Sequence, residues 1–530
     1  MKISLGPILS FRGVTTAGWN VSALIVTEVV SSPPEATIQS GNKKAVKRSA
    51  KLLKTFPESN PTLQAWRFDF AVKQTAGEQQ VSYSIDGVEN HFIVPGRNAA
   101  PNMIYASCNG FSSMKLLNDT KDANRLWRQG AEKHAAQPYQ LLMMGGDQLY
   151  CDSIWDKLVP LQHWASLPLN QRVKQPFTAE MRDLVDQFYA EVYIERWSQA
   201  ETARVLAQVP SIMMWDDHDI FDGWGSYPAE LQECEVYKGI FAIAREYFAL
   251  YQMQLASNEK HPLSIKNQQG FSLGAELGAL TLLTLDMRSE RTRSQVISPE
   301  SWKGIYDWLD GISPRRKNQP AAAQHLLVMS SIPVVHPDFA LLEKLLGIFP
   351  GRQELEDDLR DQWLSVPHRQ ERLRLIHRLL AFADSKKCRV TVLSGDVHVG
   401  ALGMIESTRA TAEEPSSQVI NQLTSSGIVH PPPPGVVLFF LETVASKKMQ
   451  LDRDISSEML EFPGTHHHYI GARNWLSLEP DHAGRIWANW YVENEPYPFT
   501  KVIHPIDFRM PAPIVPRRSE PATSVMGIGE

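Results

Sequence analysis

A chain of 530 residues, 43% hydrophobic and 21% charged, reads as soluble and globular, too long for one ordinary core. The formal net charge of −6 removes the electrostatic case for a nucleic-acid partner, and no stretch reaches the ~18–20 apolar residues that span a bilayer. Cys108, Cys151, Cys234 and Cys388 are scattered without CxxC spacing, which excludes a disulfide framework or a zinc ribbon.

The N-terminus, MKISLGPILSFRG, has no sustained apolar region, no small-residue cleavage site and no twin arginine, so the chain as given reads as cytoplasmic. Residues 1–98 carry short runs rich in Val, Ile, Phe and Tyr, among them NVSALIVTEV, AWRFDFAVK and QVSYSIDGVENHFIVPG. Turn residues separate them, which predicts an N-terminal β-sandwich domain with a boundary near Pro95 to Pro101. The basic run from Lys43 to Lys54 reads as a solvated loop or helix face.

From Asn102 the texture changes. Short continuous apolar runs at 103–107, 139–144, 211–215, 279–285, 325–330, 389–393 and 419–424 predict strands covered on both faces. Amphipathic patterns at 179–208, 228–256, 299–312 and 367–385 predict helices. The order implies an α/β core over 99–510 with a largely helical insertion at about 152–260. Residues 462–493 alternate like a terminal hairpin, and 511–530 read as a tail that frays.

Six of these strands run straight into polar or glycine-rich segments: SCNGF, GGDQLYCD, DDHDIFDG, DMRSER, SGDVHVG and SSGIVHPPPP. Ligands of open α/β sheets sit outside the carboxyl ends of strands, so six such loops on one edge predict an active site. That loops are polar anyway explains their Asn and Gly, and explains repeated Asp, His and Cys poorly. Asp216, Asp217, Asp219 and Asp222 crowd around His218. Like charges so close repel, and burying them unpaired costs several kcal/mol, which predicts a metal ion or a cationic partner.

Taken together and in this order, ASCNGF, GGDQLYCD, WDDHDIFDGWG, LDMRSER and LSGDVHVG resemble the PhoD-type alkaline phosphatases of the calcineurin-like metallophosphoesterase superfamily. The resemblance covers roughly residues 100–440; each motif alone is common, while the set is specific. It implies an α/β sandwich of two sheets flanked by helices, with an N-terminal all-β domain. It also implies hydrolysis of small phosphate mono- or diesters by metal-activated hydroxide, with Fe³⁺ and Ca²⁺ as cofactors. Carried over by motif, Cys108, Asp147, Tyr150 and His398 surround the first metal. Asp147 bridges to the second, which Asp217 and Asp396 complete.

The donor chemistry agrees with that division. Thiolate, phenolate and imidazole suit a transition metal, whereas carboxylate oxygens suit a hard cation such as Ca²⁺, Mn²⁺ or Mg²⁺. The resemblance also implies that His218 acts as general acid or as a hydrogen-bond donor to the phosphate, and Arg288, after its own strand, is read as a clamp on the phosphate oxygens. Each residue has a plainer role to weigh. Cys108 alone is a small buried hydrophobe, Tyr150 a packing aromatic, and Arg288 or Arg291 a partner for Asp286 or Glu290. Asp216 reads as structural, and His466 to His468 as an active-site rim or a solvated loop, since consecutive strand residues face opposite ways.

Two features depart from the family pattern: no twin-arginine signal is present, and Asp-Asp-His-Asp with Asp222 and Gly223 replaces the usual Asp-Asp-His-Glu followed by asparagines. Alternatives are a nuclease or cyclic-nucleotide phosphodiesterase on the same scaffold, which the acidic balance disfavours for long polynucleotides, and a degenerate phosphatase fold acting as a binding module.

Overall fold

Apolar runs with no polar alternation can satisfy themselves only as strands covered on both faces, and here they do so in two sets. The computed structural model describes residues 1–41, 43–56, 61–314, 324–337, 366–409, 415–445 and 447–506; the tail expected at 511–530 lies outside them. Met103–Ala106, Leu141–Gly145 and Ser211–Met214 pair in parallel. Leu280–Leu285, His325–Ser330, Arg389–Ser394 and Val419–Thr424 form the second parallel set.

Side-chain alternation shows how the two sheets pack. In His325–Ser330, Leu327 and Met329 join the core shared with the first sheet, while Leu326 and Val328 face the other way. That second side is closed by Trp302, Ile305 and Leu309 of helix Pro299–Gly311, and by Leu375, Ile376 and Leu379 of helix Val366–Lys386. A period of two thus puts one face against a sheet and the other against helices, the expected two-sheet sandwich flanked by helices. Helix starts follow local chemistry. Ser298 and Thr178 accept the N–H groups of Ser301 and Met181, and Pro299 stands in the first helical turn.

The N-terminal region is all β. Half of it forms a four-stranded sheet of Glu35–Ser40, Val46–Ser49, Gln79–Ile85 and Val88–Val94. The other half, Ile3–Thr15, Gly18–Glu28, Lys51–Phe56 and Leu63–Val72, belongs to the first core sheet and brings it to ten strands. Ile3–Thr15 pairs in parallel with Ser211–Met214 at Ser10 and Ser211, so hydrogen bonding continues past the boundary placed near Pro95. Phe70 and Tyr83, 5.8 Å apart, pack the two N-terminal layers together.

The basic run is an exposed loop only over residues 43–45; the rest corrects the sequence reading, since Val46–Ser49 and Lys51–Phe56 are strands. Lysines suit an edge strand, because their charge deters pairing with another chain. Lys47, Lys51 and Lys54 pair with Glu35, Glu259 and Asp186. The terminal hairpin forms as Asn474–Pro480 and Ile486–Val492. No described helix is long and apolar enough to cross a membrane.

Candidate metal centre

Parallel strands all point their carboxyl ends to one edge, and the predicted ligands leave from there. Cys108 follows Met103–Ala106, Asp147 follows Leu141–Gly145, Asp217 opens a short turn after Ser211–Met214, and Asp396 and His398 follow Arg389–Ser394. Four of these have left-handed backbones, with φ of 54° at Cys108, 52° at Asp147, 71° at Asp396 and 53° at His398. Such conformations cost roughly 1–3 kcal/mol each in a residue with a Cβ and persist only where surroundings enforce them.

The enforcing contacts are visible. The Cys108 N–H donates to Gly146 O at 3.2 Å, the Asn109 N–H to Asp147 O at 2.8 Å, and the His398 N–H to Ser426 Oγ at 3.0 Å. Gly146, at φ 104°, has no room for a side chain: a Cβ would lie 2.9 Å from the Asp216 Cβ.

All six predicted ligands meet at this edge. Cys108 Sγ lies 3.4 Å from Asp147 Oδ2 and 3.0 Å from Ser426 Oγ. Ligand atoms of Asp147, Asp217 and His218 lie within 4.8 Å of one another, as do those of Asp216, Asp217 and Asp396. Tyr150 stacks on His218 at 4.3 Å and on His430 at 5.3 Å, and His430 stacks on His398 at 3.7 Å.

The electrostatics are those of a site short of positive charge. Burial pushes the Asp147 carboxyl far above its usual range, and Asp216, Asp217 and Asp219 add to the rise against the pull of His218. Burial also raises the Cys108 thiol, with Asp147 adding to it, and raises the Tyr150 phenol beside Cys108 and Asp147. Asp147 Oδ1 and His398 Nδ1 are buried with no hydrogen-bond partner among the described residues. A cation would restore the ionised forms and satisfy both atoms, so the donor set fits a metal.

Arg288 is the cationic partner that the acidic crowd called for. It is 0% exposed; its Nε pairs with Asp216, Nη2 lies 3.3 Å from Asp217, and Nη1 donates to Trp224 O at 3.0 Å. This corrects the expectation of a phosphate clamp: the guanidinium holds two carboxylates from beneath. Asp286, one of the plainer partners weighed, accepts the Arg288 backbone N–H at 3.1 Å, while the side chain reaches Asp216 and Asp217. Asp216, read as structural, caps the turn, its side chain accepting from the backbone of Asp219 while Asp219 accepts the Asp216 N–H at 2.9 Å, and it also stands in the cluster with Asp217 and Asp396. One guanidinium cannot neutralise Asp147, Asp216, Asp217 and Asp396 together.

Three contributors escaped the sequence reading. Asp152 Oδ2 lies 2.9 Å from His218 Nδ1. Burial by itself strips the His218 proton, but Asp152 and Asp217 outweigh it and raise the imidazole well above its usual value. Asp219, raised to about 7 by burial, accepts from Gln148 and Leu149 N–H groups and from Gln252, stapling the Asp147 loop to the Asp217 turn. Ser426 bridges Cys108 and the His398 N–H. Asp152 closes GGDQLYCD and Ser426 opens into SSGIVH, so both stood in quoted motifs without a role. His466 and His467 lie on an exposed loop, and His468 pairs with Glu442 at 3.0 Å.

Comparison with known proteins matches this architecture. A family model described as PhoD related phosphatase covers residues 76–349 and 338–457. A curated but uncharacterized protein of Saccharomyces cerevisiae is 29% identical over 503 residues, which span 78% of this chain and 70% of the yeast protein. A solved structure of PhoD aligns with a TM-score of 0.56 at 12% identity over 93% of this chain and 88% of its own, which shows a shared fold. A purple acid phosphatase from yellow lupin (Lupinus luteus) seeds aligns at 0.49 and 12% identity, over 94% and 74%.

Proposed function

Because this chain belongs to the family of PhoD-related phosphatases, we propose that it hydrolyses small phosphate mono- or diesters with two metal ions at the edge described above. The observation that carries the proposal is the mixed donor set, with Asp147 Oδ1 and His398 Nδ1 buried and unpartnered among three crowded carboxylates. Cys108, Tyr150, His398 and Asp147 would hold a transition metal, iron by preference, because thiolate and phenolate favour a ferric ion. Asp147, Asp217 and Asp396 would hold a harder cation, Ca²⁺, Mn²⁺ or Mg²⁺. Cations bound there supply Lewis acidity, activating water near neutral pH and offsetting charge on phosphoryl oxygens.

The chain's own residues do the rest. Asp152 engages His218 Nδ1, which fixes the ring and leaves Nε2 for the leaving oxygen of the ester. Arg288 keeps Asp216 and Asp217 in place, and Gly223 N–H donates to Asp217 Oδ2 at 2.7 Å, leaving the other oxygen turned to Arg288 and the cluster.

Two variants separate holding metal from moving a proton. Asp217→Asn keeps an oxygen donor and removes a charge, so it lowers affinity for the hard cation and is partly rescued by excess metal. His218→Asn keeps both metals and loses about 10²–10⁴-fold in turnover, less on nitrophenyl esters, whose stable phenolate needs little protonation. The readouts are metal content and turnover on nitrophenyl and alkyl esters. If His218→Asn sheds metal as readily as Asp217→Asn, the imidazole is a ligand and this division of roles fails. If it keeps metal and slows both ester classes equally, His218 is a hydrogen-bond donor to the phosphate and not the acid.

A further inference from the structure

His430 lies in the loop after Val419–Thr424, the loop that also carries Ser426, and its side chain has no role in the reading above. It is only 7% exposed, and its backbone is tied down: the His430 N–H donates to Cys108 O at 3.1 Å and the Ile428 N–H to Ser107 O at 3.1 Å. Both ring nitrogens are engaged. Nδ1 lies 2.8 Å from Pro431 O, which as an acceptor fixes the proton there, and Nε2 lies 3.3 Å from Ser112 Oγ.

With its edges engaged, the ring acts through its faces. It stacks on Tyr150, with centroids 5.3 Å apart and planes inclined by 20°, and on His398 at 3.7 Å and 18°. Tyr150 in turn stacks on His218 at 4.3 Å. The four rings are linked by successive stacks, His218 to Tyr150 to His430 to His398, and the series contains the phenol and the imidazole assigned above to the first metal.

We infer that His430 is a positioning residue for the first metal: its ring is the spacer that fixes Tyr150 and His398 at the angle needed to bind together, while its backbone fixes Cys108. The inference rests on the reading of Tyr150 and His398 as ligands. Tyr150 stacks on two rings, His218 and His430, and His398 stacks on His430, which restrains both ligands from rotating away, the task that outer partners of metal ligands perform elsewhere by hydrogen bonding.

The test loads wild type, His430→Ala, His430→Leu and His430→Phe with ferric iron. It reads the ligand-to-iron absorption band, iron retention against a chelator, and the melting temperature of each metal-free form. Alanine and leucine remove the flat faces, and leucine keeps buried volume in case alanine does not fold. Both lose iron affinity by about 10–100-fold, the usual cost of removing a ligand's support, and displace or broaden the band. Phenylalanine keeps the faces and restores band and retention to within a few-fold of wild type.

Leucine and alanine variants with the wild-type band and retention overturn the inference, whatever happens to melting. Phenylalanine as damaging as leucine also overturns it, because the ring nitrogens then matter and the stack does not. A wild-type protein that takes up no iron sinks the ligand reading itself and this inference with it, an outcome distinct from intact binding in the variants.

Discussion

The imidazole of His218 reaches Asp152 through Nδ1 at 2.9 Å, while the second oxygen of Asp152 accepts the Asp222 N–H at 2.7 Å. One carboxylate therefore sets both the direction of the ring and the start of the loop that follows it. Asp152→Asn keeps an acceptor for Asp222 and removes the charge that favours the imidazolium. We expect metal content to stay at the wild-type level and turnover on alkyl esters to fall by about 10²-fold or more, within what a positioned acid contributes. Wild-type turnover in this variant would make the ion pair incidental. The motif around Asp152 was legible in the sequence, yet its task was not, because its partner stands 66 residues further along and only the fold brings them together. Arg288 was misread for the same reason. A lone arginine at a strand end looks like a hand held out to phosphate, and its complete burial is a property of packing.

At the scale of elements, position in the chain was easier to read than connection. The seven core strands stand where continuous apolar runs placed them, because strands covered on both faces leave that mark in any sequence. The N-terminal strands were also legible, but not their membership of the core sheet, since partner choice across a sheet leaves no local trace. The basic run holds two edge strands, which went unread for want of an apolar period to announce them. How tightly the two sheets meet beside the site shows at Gly395, where a Cβ would lie 2.4 Å from Ser107 Oγ. Ser107 donates to Ser425 O at 3.0 Å, so the two loops move together. Gly395→Ala should displace Asp396 and His398, lowering metal retention while the protein still folds. Adding Ser107→Gly opens the space and should recover much of that retention. A Gly395→Ala protein with wild-type metal binding would show that the contact yields cheaply.

Across the whole molecule, two mixed sheets face each other and the parallel strands within them aim their carboxyl ends at one edge, so chemistry from distant parts of the chain converges without any long excursion. The fold gathers Cys108, Asp147, Asp217, Asp396, Tyr150 and His398 at this one edge. The claim at the centre of this account is that the edge binds metal and that activity depends on it. The most direct measurement is elemental analysis of the protein purified from cells, paired with phosphoester turnover on the same preparation before and after chelation. We predict near-stoichiometric transition metal, iron foremost, together with a second divalent ion, and activity that leaves and returns with them. Metal-free protein with undiminished phosphoester turnover would contradict the account.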